Sequence, residues 1–249
     1  PTTVRVNTLK ITRDEMLVKW QKEYDVSPCK LAPHGIIFHK KIALFALPEF
    51  KEGLFEVQDE GSQLAAELVR VEKGQQVMDY CAGSGGKALA FAPRMQHSGQ
   101  IYLHDIRASI LQECRRRLRR AGIQNAQIAI NEDAKLKKLK KRMHWVLVDI
   151  PCSGTGTMRR NVDSKWKFTS DVLNRLLGQQ RLIFEKALSY LCPGGRIVYV
   201  TCSILSSENQ EQVHYFMKTY NLEMEGLPFQ SLPSEEGMDG FFGVTLISK

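Results

Sequence analysis

WVLVDIPCSGTG, residues 145–156, is the stretch of sequence from which the fold can be predicted. It begins as an unbroken apolar run, which is typical of a strand covered on both faces, as in parallel sheets. The run stops abruptly at Asp149, and Pro151 and Cys152 follow closely. Ligands of open α/β sheets bind beyond the carboxyl ends of the strands. We therefore expect these residues to serve a functional site.

Strand and helix patterns alternate on both sides of this stretch. Further strands are predicted at 76–79, 100–104, 126–130 and 196–200, and helices at 88–94, 108–121, 170–191 and 206–220. Such alternation implies parallel strands joined by right-handed crossovers. The sequence thus predicts an α/β fold with a mostly parallel, doubly wound sheet. Residues 241–248 read as a final antiparallel strand at the sheet edge.

The first 56 residues mix short elements of a different kind. Strands are predicted at 4–9, 36–38 and 42–47, and a helix at 14–24 has apolar residues at core spacing. We predict a small α+β module over 1–56 and a second domain over 57–249. The first helix of that second domain begins at Asp59 or Ser62, either of which can serve as its N-cap.

Composition narrows the classes of protein to consider. The 249 residues are 43% hydrophobic, enough for an ordinary core, and no apolar run approaches the ~20 residues that span a bilayer. We expect a soluble, cytoplasmic protein without a membrane segment. The six cysteines lack the paired spacing of a zinc site, so no metal is expected.

The net charge of +8 is concentrated in one part of the chain. Residues 105–167 hold 16 Lys or Arg against 6 Asp or Glu. A local positive field suits the phosphate backbone of a nucleic acid, although exposed helices can be basic for solubility alone.

A glycine-rich segment, DYCAGSGGK at 79–87, follows the first strand of the second domain. Without Cβ atoms at Gly83, Gly85 and Gly86, its backbone N–H groups can approach a ligand closely. The spacing matches neither the dinucleotide-binding nor the P-loop pattern. The segment therefore favours a nucleotide-like ligand without a phosphate chain.

Two acidic residues extend this predicted ligand site. Asp105 ends the next strand, where a carboxylate can accept hydrogen bonds from ribose hydroxyls. Asp133 follows the third strand and can face adenine or serve as a helix N-cap. Ribose and adenine contacts without a phosphate loop favour S-adenosyl-L-methionine as the cofactor.

Two cysteines follow strands that should end at the same crevice. Cys152 and Cys202 come just after the strands at 145–149 and 196–200. A thiolate can add to C6 of cytosine, which makes C5 nucleophilic, and Asp149 can bond to N3 and the amino group. For either thiol alone, packing in the core is the commoner role.

Taken together, the motifs resemble the Sun/RsmB-like (NSUN-type) RNA cytosine-5 methyltransferases over nearly the whole chain. The segments that carry the resemblance are RVNTLK at 5–10, QDEGSQLAA at 58–66, DYCAGSGGK at 79–87, DIPCSGTGTMRRNVDSKWK at 149–167, LCPGGRIVYVTCSI at 191–204 and DGFF at 239–242. The resemblance implies a Rossmann-like class I methyltransferase domain with an RRM-like, RNA-binding N-terminal module packed on it.

The resemblance also implies a role for individual residues. Cys202 would be the nucleophile and Cys152 would assist release of the methylated base, while Lys87 and Asp149 line the catalytic pocket. The implied cofactor contacts are Cys81, Ala82, Gly83, Ser84, Gly85, Gly86, Lys87, Asp105, Asp133 and Asp149. Two positions depart from the family pattern, because Ser84 stands for the usual Pro and Ala88 for the usual Thr.

The substrate expected from this resemblance is RNA, with the protein acting as a monomer. Cations and one ring after the PCSG loop, at Arg159, Arg160, Lys165 and Trp166, could clamp a single strand. The alternative is that the ring packs inward and the cations are solvated.

Several functions stay open at this point. The leading hypothesis is formation of 5-methylcytosine in ribosomal RNA, with transfer RNA as the alternative substrate. A DNA cytosine-5 methyltransferase would use Cys152 as the nucleophile, although the TCS motif argues against it. A catalytically weak RNA-binding or ribosome-assembly protein could keep the same fold.

Overall fold

A computed structural model describes residues 1–129, 134–160, 166, 168–235 and 237–248. The larger of its two sheets has seven strands, which in spatial order are β10 (Leu222–Gln230), β11 (Phe242–Ser248), β9 (Leu191–Thr201), β8 (Met143–Asp149), β5 (Gln76–Asp79), β6 (Gln100–His104) and β7 (Ala126–Ala129). Strands β5 to β9 are parallel, and β10 and β11 are antiparallel to their neighbours. The mostly parallel α/β fold with antiparallel strands at one edge is therefore confirmed.

The central strand β8 is covered on both faces, as its apolar run predicts. Trp145 and Leu147 belong to one core cluster, and Val146 and Val148 to another on the opposite face. All four are at most 4% exposed. Because successive side chains of a strand point to opposite faces, an unbroken apolar run requires a packed layer on each side.

The helices that build these layers follow the predicted order. The described helices are α1 (Arg13–Trp20), α2 (Pro48–Lys51), α3 (Glu60–Glu67), α4 (Ala88–Phe91), α5 (Ala108–Ala121), α6 (Ala134–Lys138), α7 (Ser170–Leu188) and α8 (Gln210–Tyr220). Asp59 caps α3 by accepting a hydrogen bond from the Gly61 amide at 2.8 Å. None of the helices in the described residues is long and apolar enough to cross a membrane.

A second, four-stranded antiparallel sheet forms from the N-terminal residues. Its spatial order is β2 (Val26–Pro28), β3 (Gly35–Phe38), β1 (Thr2–Val6) and β4 (Phe55–Val57). It has its own core, in which Met16 and Trp20 of α1 pack against Phe38 and Phe55. The division into domains at residues 56 and 57 stays a prediction, and strand β4 runs across it.

The predicted strand at 42–47 is wrong. This segment instead forms a 3₁₀ turn, Leu44–Ala46, followed by the short helix α2. Pro48 occupies the first turn of that helix, where a fixed φ and a missing N–H are tolerated. Only Leu44 of the turn is buried, while Phe45 is 67% exposed, so the apolar composition here does not reflect a strand.

The last strand of the chain is not itself at the sheet edge. Strand β11 pairs with β9 on one side and with β10 on the other, so β10 is the edge strand. Strand β10 was not predicted, because it contains Gly226 and Pro228 and most of its side chains are exposed. A largely solvated edge strand lacks the alternation that identifies strands in a sequence.

Candidate active site

Two thiols meet at the carboxyl ends of β8 and β9. Cys152 follows β8 by three residues, Cys202 directly follows β9, and their Sγ atoms are 3.3 Å apart. The residues lie 50 positions apart in the sequence. Parallel pairing of the two strands brings them to the same edge of the sheet.

Backbone contacts hold the two loops in register. The Gly156 amide donates to the Cys202 carbonyl at 2.9 Å, and the Gly240 amide donates to the Gly156 carbonyl at 2.8 Å. A Cβ atom on Gly156 would lie 2.1 Å from the Gly240 oxygen. Glycine at 156 thus permits a backbone approach that a side chain would prevent.

A buried carboxylate supports the loop that carries Cys152. Glu208 is fully buried and accepts hydrogen bonds from the Ser153 amide at 2.9 Å and from Gln180 Nε2 at 2.9 Å. The Ser153 hydroxyl donates to the second oxygen of the same carboxylate. A buried charge needs such partners, so Glu208 and the Cys152 loop stabilise each other.

An ion pair lies beside the sulfurs. Lys87 Nζ donates to Asp149 Oδ2, and the lysine side chain is only 8% exposed, whereas the Asp149 side chain is 34% exposed. The same ammonium lies 5.5 Å from the centroid of the Phe241 ring. The partly exposed carboxylate is thus oriented by a buried cation and is accessible to a ligand.

The two thiols have opposite pKa shifts. A hydrogen bond from the Cys152 thiol lowers the pKa of Cys202, and the Lys87 charge adds to this, while burial and Asp149 oppose it. The same hydrogen bond, burial and the charge of Glu208 raise the pKa of Cys152. The pair therefore favours a thiolate at Cys202 and a thiol at Cys152, and a thiolate is the nucleophilic form.

The glycine-rich loop after β5 lies next to this ion pair through Lys87. Gly83 and Gly85 have φ of +52° and +81°, a conformation that favours glycine, and a Cβ on Gly85 would lie 2.6 Å from Cys114 Sγ. The Gly83 amide donates to Asp105 Oδ2 at 2.9 Å. The predicted loop and the acid at the end of β6 are therefore in direct contact.

Asp105 is buried and charged. Burial opposes ionisation, but hydrogen bonds from Arg107 and from the Gly83 amide lower the pKa of Asp105. Arg107 contacts Asp105 at 3.0 Å, and its own side chain is 62% exposed. Because the guanidinium is mostly solvated, it can share this carboxylate with ligand hydroxyls.

Asp79, the first residue of the glycine-rich segment 79–87, is a second buried carboxyl group near this site. One of its oxygens lacks a hydrogen-bond partner among the described residues. Burial, followed by the charge of Asp149, raises the pKa of Asp79 to about 8. The acceptor at the end of β6 fits S-adenosyl-L-methionine, since the Asp105 carboxylate suits ribose hydroxyls. Cys81, in the same loop, has its pKa raised by burial and stays a neutral thiol.

The arginines predicted to bind RNA make intramolecular contacts. Arg159 and Arg160 both pair with Asp239, which is 1% exposed, and Arg160 also pairs with Asp59 at 2.8 Å. Arg159 donates further to the Ser234 carbonyl at 2.9 Å. These cations therefore join three segments of the chain while staying partly exposed, and contact with RNA stays a prediction.

Of three other predicted site residues, the structure describes only Trp166. Trp166 is 79% exposed, which agrees with an accessible ring rather than a core position. Asp133 and Lys165 lie outside the residues that the structure describes, so their predicted roles are untouched by it. Within the described part of the chain, no cluster of three His, Cys, Asp or Glu side chains could hold a metal ion.

Sequence reasoning missed several residues that complete the crevice. Glu208, Phe241 and Asp79 were not among the predicted site residues, although each contacts or neighbours one that was. Ile106, the next residue after Asp105, is 81% exposed. A large apolar side chain after a strand-end acid was the signal that could have identified it.

The parallel sheet, the glycine-rich loop after its β5 strand and the acid at the end of β6 together define a Rossmann-like methyltransferase fold. Residues 66–247 match the family model described as 16S rRNA methyltransferase RsmB/F. The chain belongs to this family, and the resemblance seen in the sequence is confirmed.

Related proteins and structures agree with this assignment. The chain is 30% identical over 260 residues to ribosomal RNA small subunit methyltransferase B of Shewanella oneidensis, covering 99% of the chain and 60% of the relative. The relative with the same name in Vibrio cholerae is 33% identical, with 99% and 58% covered. A methyltransferase homolog protein from Pyrococcus horikoshii has a TM-score of 0.85 at 27% identity, with 100% of this chain and 87% of that chain covered. The chain thus spans about 60% of the length of the curated relatives.

Proposed function

We propose that the chain transfers a methyl group from S-adenosyl-L-methionine to C5 of a cytosine in ribosomal RNA. The observation that carries the proposal is the 3.3 Å separation of the Cys152 and Cys202 sulfurs beside the Lys87–Asp149 ion pair. Two thiols at one point suit a reaction that needs a nucleophile on the pyrimidine ring and a second group to assist its departure.

Cys202 begins the reaction in this proposal. Its thiolate forms a bond to C6, and the electrons of the C5–C6 double bond move through the ring to N3, which takes a proton from water while the Asp149 carboxylate accepts a hydrogen bond from the N3–H group. The resulting enamine makes C5 nucleophilic. Lys87 keeps Asp149 oriented toward the base, which is supported by the burial of the lysine and the partial exposure of the carboxylate.

Cys152 assists the second half of the reaction. After C5 carries the methyl group, water takes the protons from C5 and N3, the C5–C6 double bond forms again, and the Cys202–C6 bond breaks with both electrons returning to sulfur. The raised pKa of Cys152 supports this role, because it keeps a thiol next to Cys202 that can donate a hydrogen bond to the departing thiolate.

Residues of the glycine-rich loop would hold the cofactor. S-adenosyl-L-methionine, when bound, supplies an electrophilic methyl group. Asp105 would bind the ribose, and the backbone of 81–87 would approach the ligand. The fold and the family support this assignment, and the departures at Ser84 and Ala88 leave the backbone donors in place.

The substrate in this proposal is ribosomal RNA, reached by the chain as a monomer in the cytoplasm. Relatives named ribosomal RNA small subunit methyltransferase B support an RNA of the small subunit. Extruding a base from a duplex costs a few kcal/mol, so a single-stranded or loop cytosine is the easier target. Trp166 offers an exposed ring on which a base can stack.

The test uses the purified chain, unmethylated small-subunit RNA and labelled cofactor. We expect 5-methylcytidine in nuclease digests analysed by mass spectrometry. Cys202→Ala should lower the rate by about 1,000-fold or more, since the nucleophile is lost. Cys152→Ala should instead accumulate a denaturation-resistant protein–RNA adduct.

Cys192→Ala is the matched control, because this partly buried thiol lies at the other end of β9 and should leave the rate unchanged. An adduct that survives Cys202→Ala and disappears with Cys152→Ala would make Cys152 the nucleophile. A methylated product other than 5-methylcytidine would overturn the cytosine-5 assignment.

A further inference from the structure

The glycine-rich loop is held by one side chain of α5. Arg117 Nη1 donates to the Ser84 carbonyl at 3.1 Å and also to the Ser84 hydroxyl. The other edge of the same guanidinium donates to Glu56 Oε2 from Nε at 3.1 Å and from Nη2 at 3.0 Å. Arg117 thus links the loop to strand β4 of the N-terminal sheet.

The carboxylate at the far end of this link is itself fixed. The Glu56 side chain is 5% exposed, and its second oxygen accepts from Arg120 Nη2 at 2.6 Å. The Arg120 guanidinium lies 3.9 Å from the centroid of the Phe50 ring. Glu56 therefore cannot rotate away without losing two arginine partners at a buried position.

A neighbouring strand of the N-terminal sheet reaches the same loop. Arg5 of β1 is paired in register with Glu56 of β4, and Arg5 Nη1 donates to the Gly86 carbonyl at 3.0 Å. Burial lowers the pKa of Arg5 to about 10, which still leaves the side chain charged at neutral pH. Two carbonyls of the loop are thus bound by arginines that depend on the N-terminal sheet.

These contacts act on a segment with unusual backbone freedom. Ser84 lies between Gly83 and Gly85, and glycine loses more conformational entropy on ordering than any other residue. Ordering one backbone residue on binding lowers the affinity for a ligand about 10-fold. A loop that is already ordered binds its ligand without that cost.

We propose that Glu56, Arg117 and Ser84 form a clamp through which the N-terminal module preorganises the cofactor loop. Glu56 and Arg117 are positioning residues, since they act on the loop through Ser84. The inference rests on the proposed function, in which this loop holds S-adenosyl-L-methionine. It makes cofactor affinity a property of both parts of the chain.

Isothermal titration of the full chain with S-adenosyl-L-homocysteine tests the clamp by affinity rather than by activity. We expect Glu56→Gln and Arg117→Leu each to weaken binding about 10-fold, because a loop residue that the clamp no longer orders must be ordered on binding. Ser84→Ala should weaken binding less, because its carbonyl still accepts from Arg117. In the Arg117→Leu background, the other two substitutions should have no further effect.

Arg116→Gln is the matched control, because Arg116 lies on the same helix, pairs with Glu113 and is 71% exposed. Its affinity should equal that of the wild type. The clamp would be overturned by unchanged affinity in Glu56→Gln, Arg117→Leu and Ser84→Ala. It would also be overturned by effects that add independently in the double variants, and in both cases the proposed cofactor would still stand. A wild-type chain that does not bind the ligand at millimolar concentration would overturn the proposed cofactor, and the clamp with it.

If Arg117→Leu does not fold, Arg117→Lys replaces it, since lysine keeps the charge but cannot join Ser84 and Glu56 at once. Thermal unfolding is measured for every variant. A lower melting temperature with unchanged affinity would assign the contacts to stability only and would overturn the clamp.

Discussion

The two halves of the crevice are held together by different kinds of contact. The sulfur half, formed by the loops that carry Cys152 and Cys202, is fixed by backbone hydrogen bonds between Gly156, Cys202 and Gly240 and by the buried Glu208. The cofactor half, formed by the loop at 79–87 with Asp105, has backbone hydrogen bonds to β8 and β6 and is bound in addition by arginines from other elements.

This difference fits what each half has to do. Covalent attack on a pyrimidine ring requires accurate positions of the reacting groups, since a 1 Å displacement can lower the rate about 100-fold. Backbone contacts between glycines set such positions with no rotatable side chain between them. A loop that admits and releases a ligand can instead be held by ion pairs, whose strength depends on burial and geometry.

The largest effect is expected from adding a side chain at Gly156, in the sulfur half. Gly156→Ala places a Cβ 2.1 Å from the Gly240 oxygen, so the loop must shift. We expect the methyl-transfer rate to fall about 100-fold and the free energy of unfolding to fall by about 1–3 kcal/mol. Labelled-cofactor assays and urea denaturation measure both quantities.

Gly178→Ala provides the comparison, since Gly178 is exposed within α7 and a Cβ there meets nothing within 4 Å. It should raise the free energy of unfolding by about 0.5–1 kcal/mol and leave the rate unchanged. Equal rates in the Gly156 and Gly178 variants would mean that the backbone contact does not set the positions of the sulfurs.

Removing Arg159 should have the next largest effect. Arg159→Ala deletes bonds to Asp239 and to the carbonyls of Ser234 and Gly237, next to a carboxylate that is 2% exposed. We expect the free energy of unfolding to fall by about 1–2 kcal/mol, because the buried Asp239 loses one of its two arginine partners. Urea denaturation measures this, and filter binding measures affinity for RNA.

The same change made at Arg175, which is exposed on α7, should alter stability by less than about 0.5 kcal/mol. A loss of RNA affinity in the Arg159 variant with unchanged stability would return this residue to the RNA-clamp role that its sequence position predicted.

Asp79 gives the cofactor half a pH dependence of its own. Its pKa is raised from 3.8 to about 8 by burial and by the charge of Asp149. The folded chain therefore holds a proton that the unfolded chain releases above about pH 4. The stabilisation is complete below that pH and is lost as the pH rises toward 8, at about 1.4 kcal/mol per pH unit.

Asp79→Asn cannot ionise, so this part of the slope should disappear. Urea denaturation of both chains at pH 5, 6, 7 and 8 measures the difference. Parallel stability curves over this range would show that Asp79 keeps the same protonation state in the folded and unfolded chains.

The smallest effect is expected from neutralising Glu208. Its charge, after the hydrogen bond to Cys202 and burial, helps to raise the pKa of Cys152. Glu208→Gln keeps an acceptor for the Ser153 amide, so the fold should persist while the pKa of Cys152 falls. Alkylation of Cys152 by iodoacetamide, followed by peptide mass spectrometry, should then begin at lower pH.

Glu211→Gln is the control, because Glu211 is exposed and bonds to the Ser206 hydroxyl. Its alkylation profile should match that of the wild type. An identical profile for Glu208→Gln would mean that this carboxylate supports the loop without influencing the thiol.

Much of the parallel sheet could be predicted because buried strands carry a strong signal. The helix Ala108–Ala121 and the strand Gln100–His104 have the predicted bounds. The segment at 42–47 and strand β10 could not be predicted, since the first is apolar but mostly exposed and the second is solvated at the sheet edge. The hydrophobic pattern of a segment indicates which of its residues are buried. In these two segments, burial and secondary structure do not correspond in the usual way.

The candidate site could be predicted in its residues more than in its contacts. Cys152, Cys202 and Asp149 are predicted in one crevice because parallel strands end at one edge, and the family resemblance adds Lys87. Glu208 could not be found from the sequence, since a Glu before a helix is common and its burial depends on distant Ser153 and Gln180.

The sequence by itself determined the class of fold, the order of its strands along the chain and the motifs that mark its family, because these follow from hydrophobic pattern and from local residue chemistry. Only the tertiary structure decided which cations are engaged by acids, in which direction the pKa of each catalytic thiol is shifted and how the N-terminal sheet reaches the cofactor loop. These depend on contacts between residues far apart in the chain, such as Glu56 and Arg117. The local sequence around each residue does not indicate how close the two lie in the folded chain.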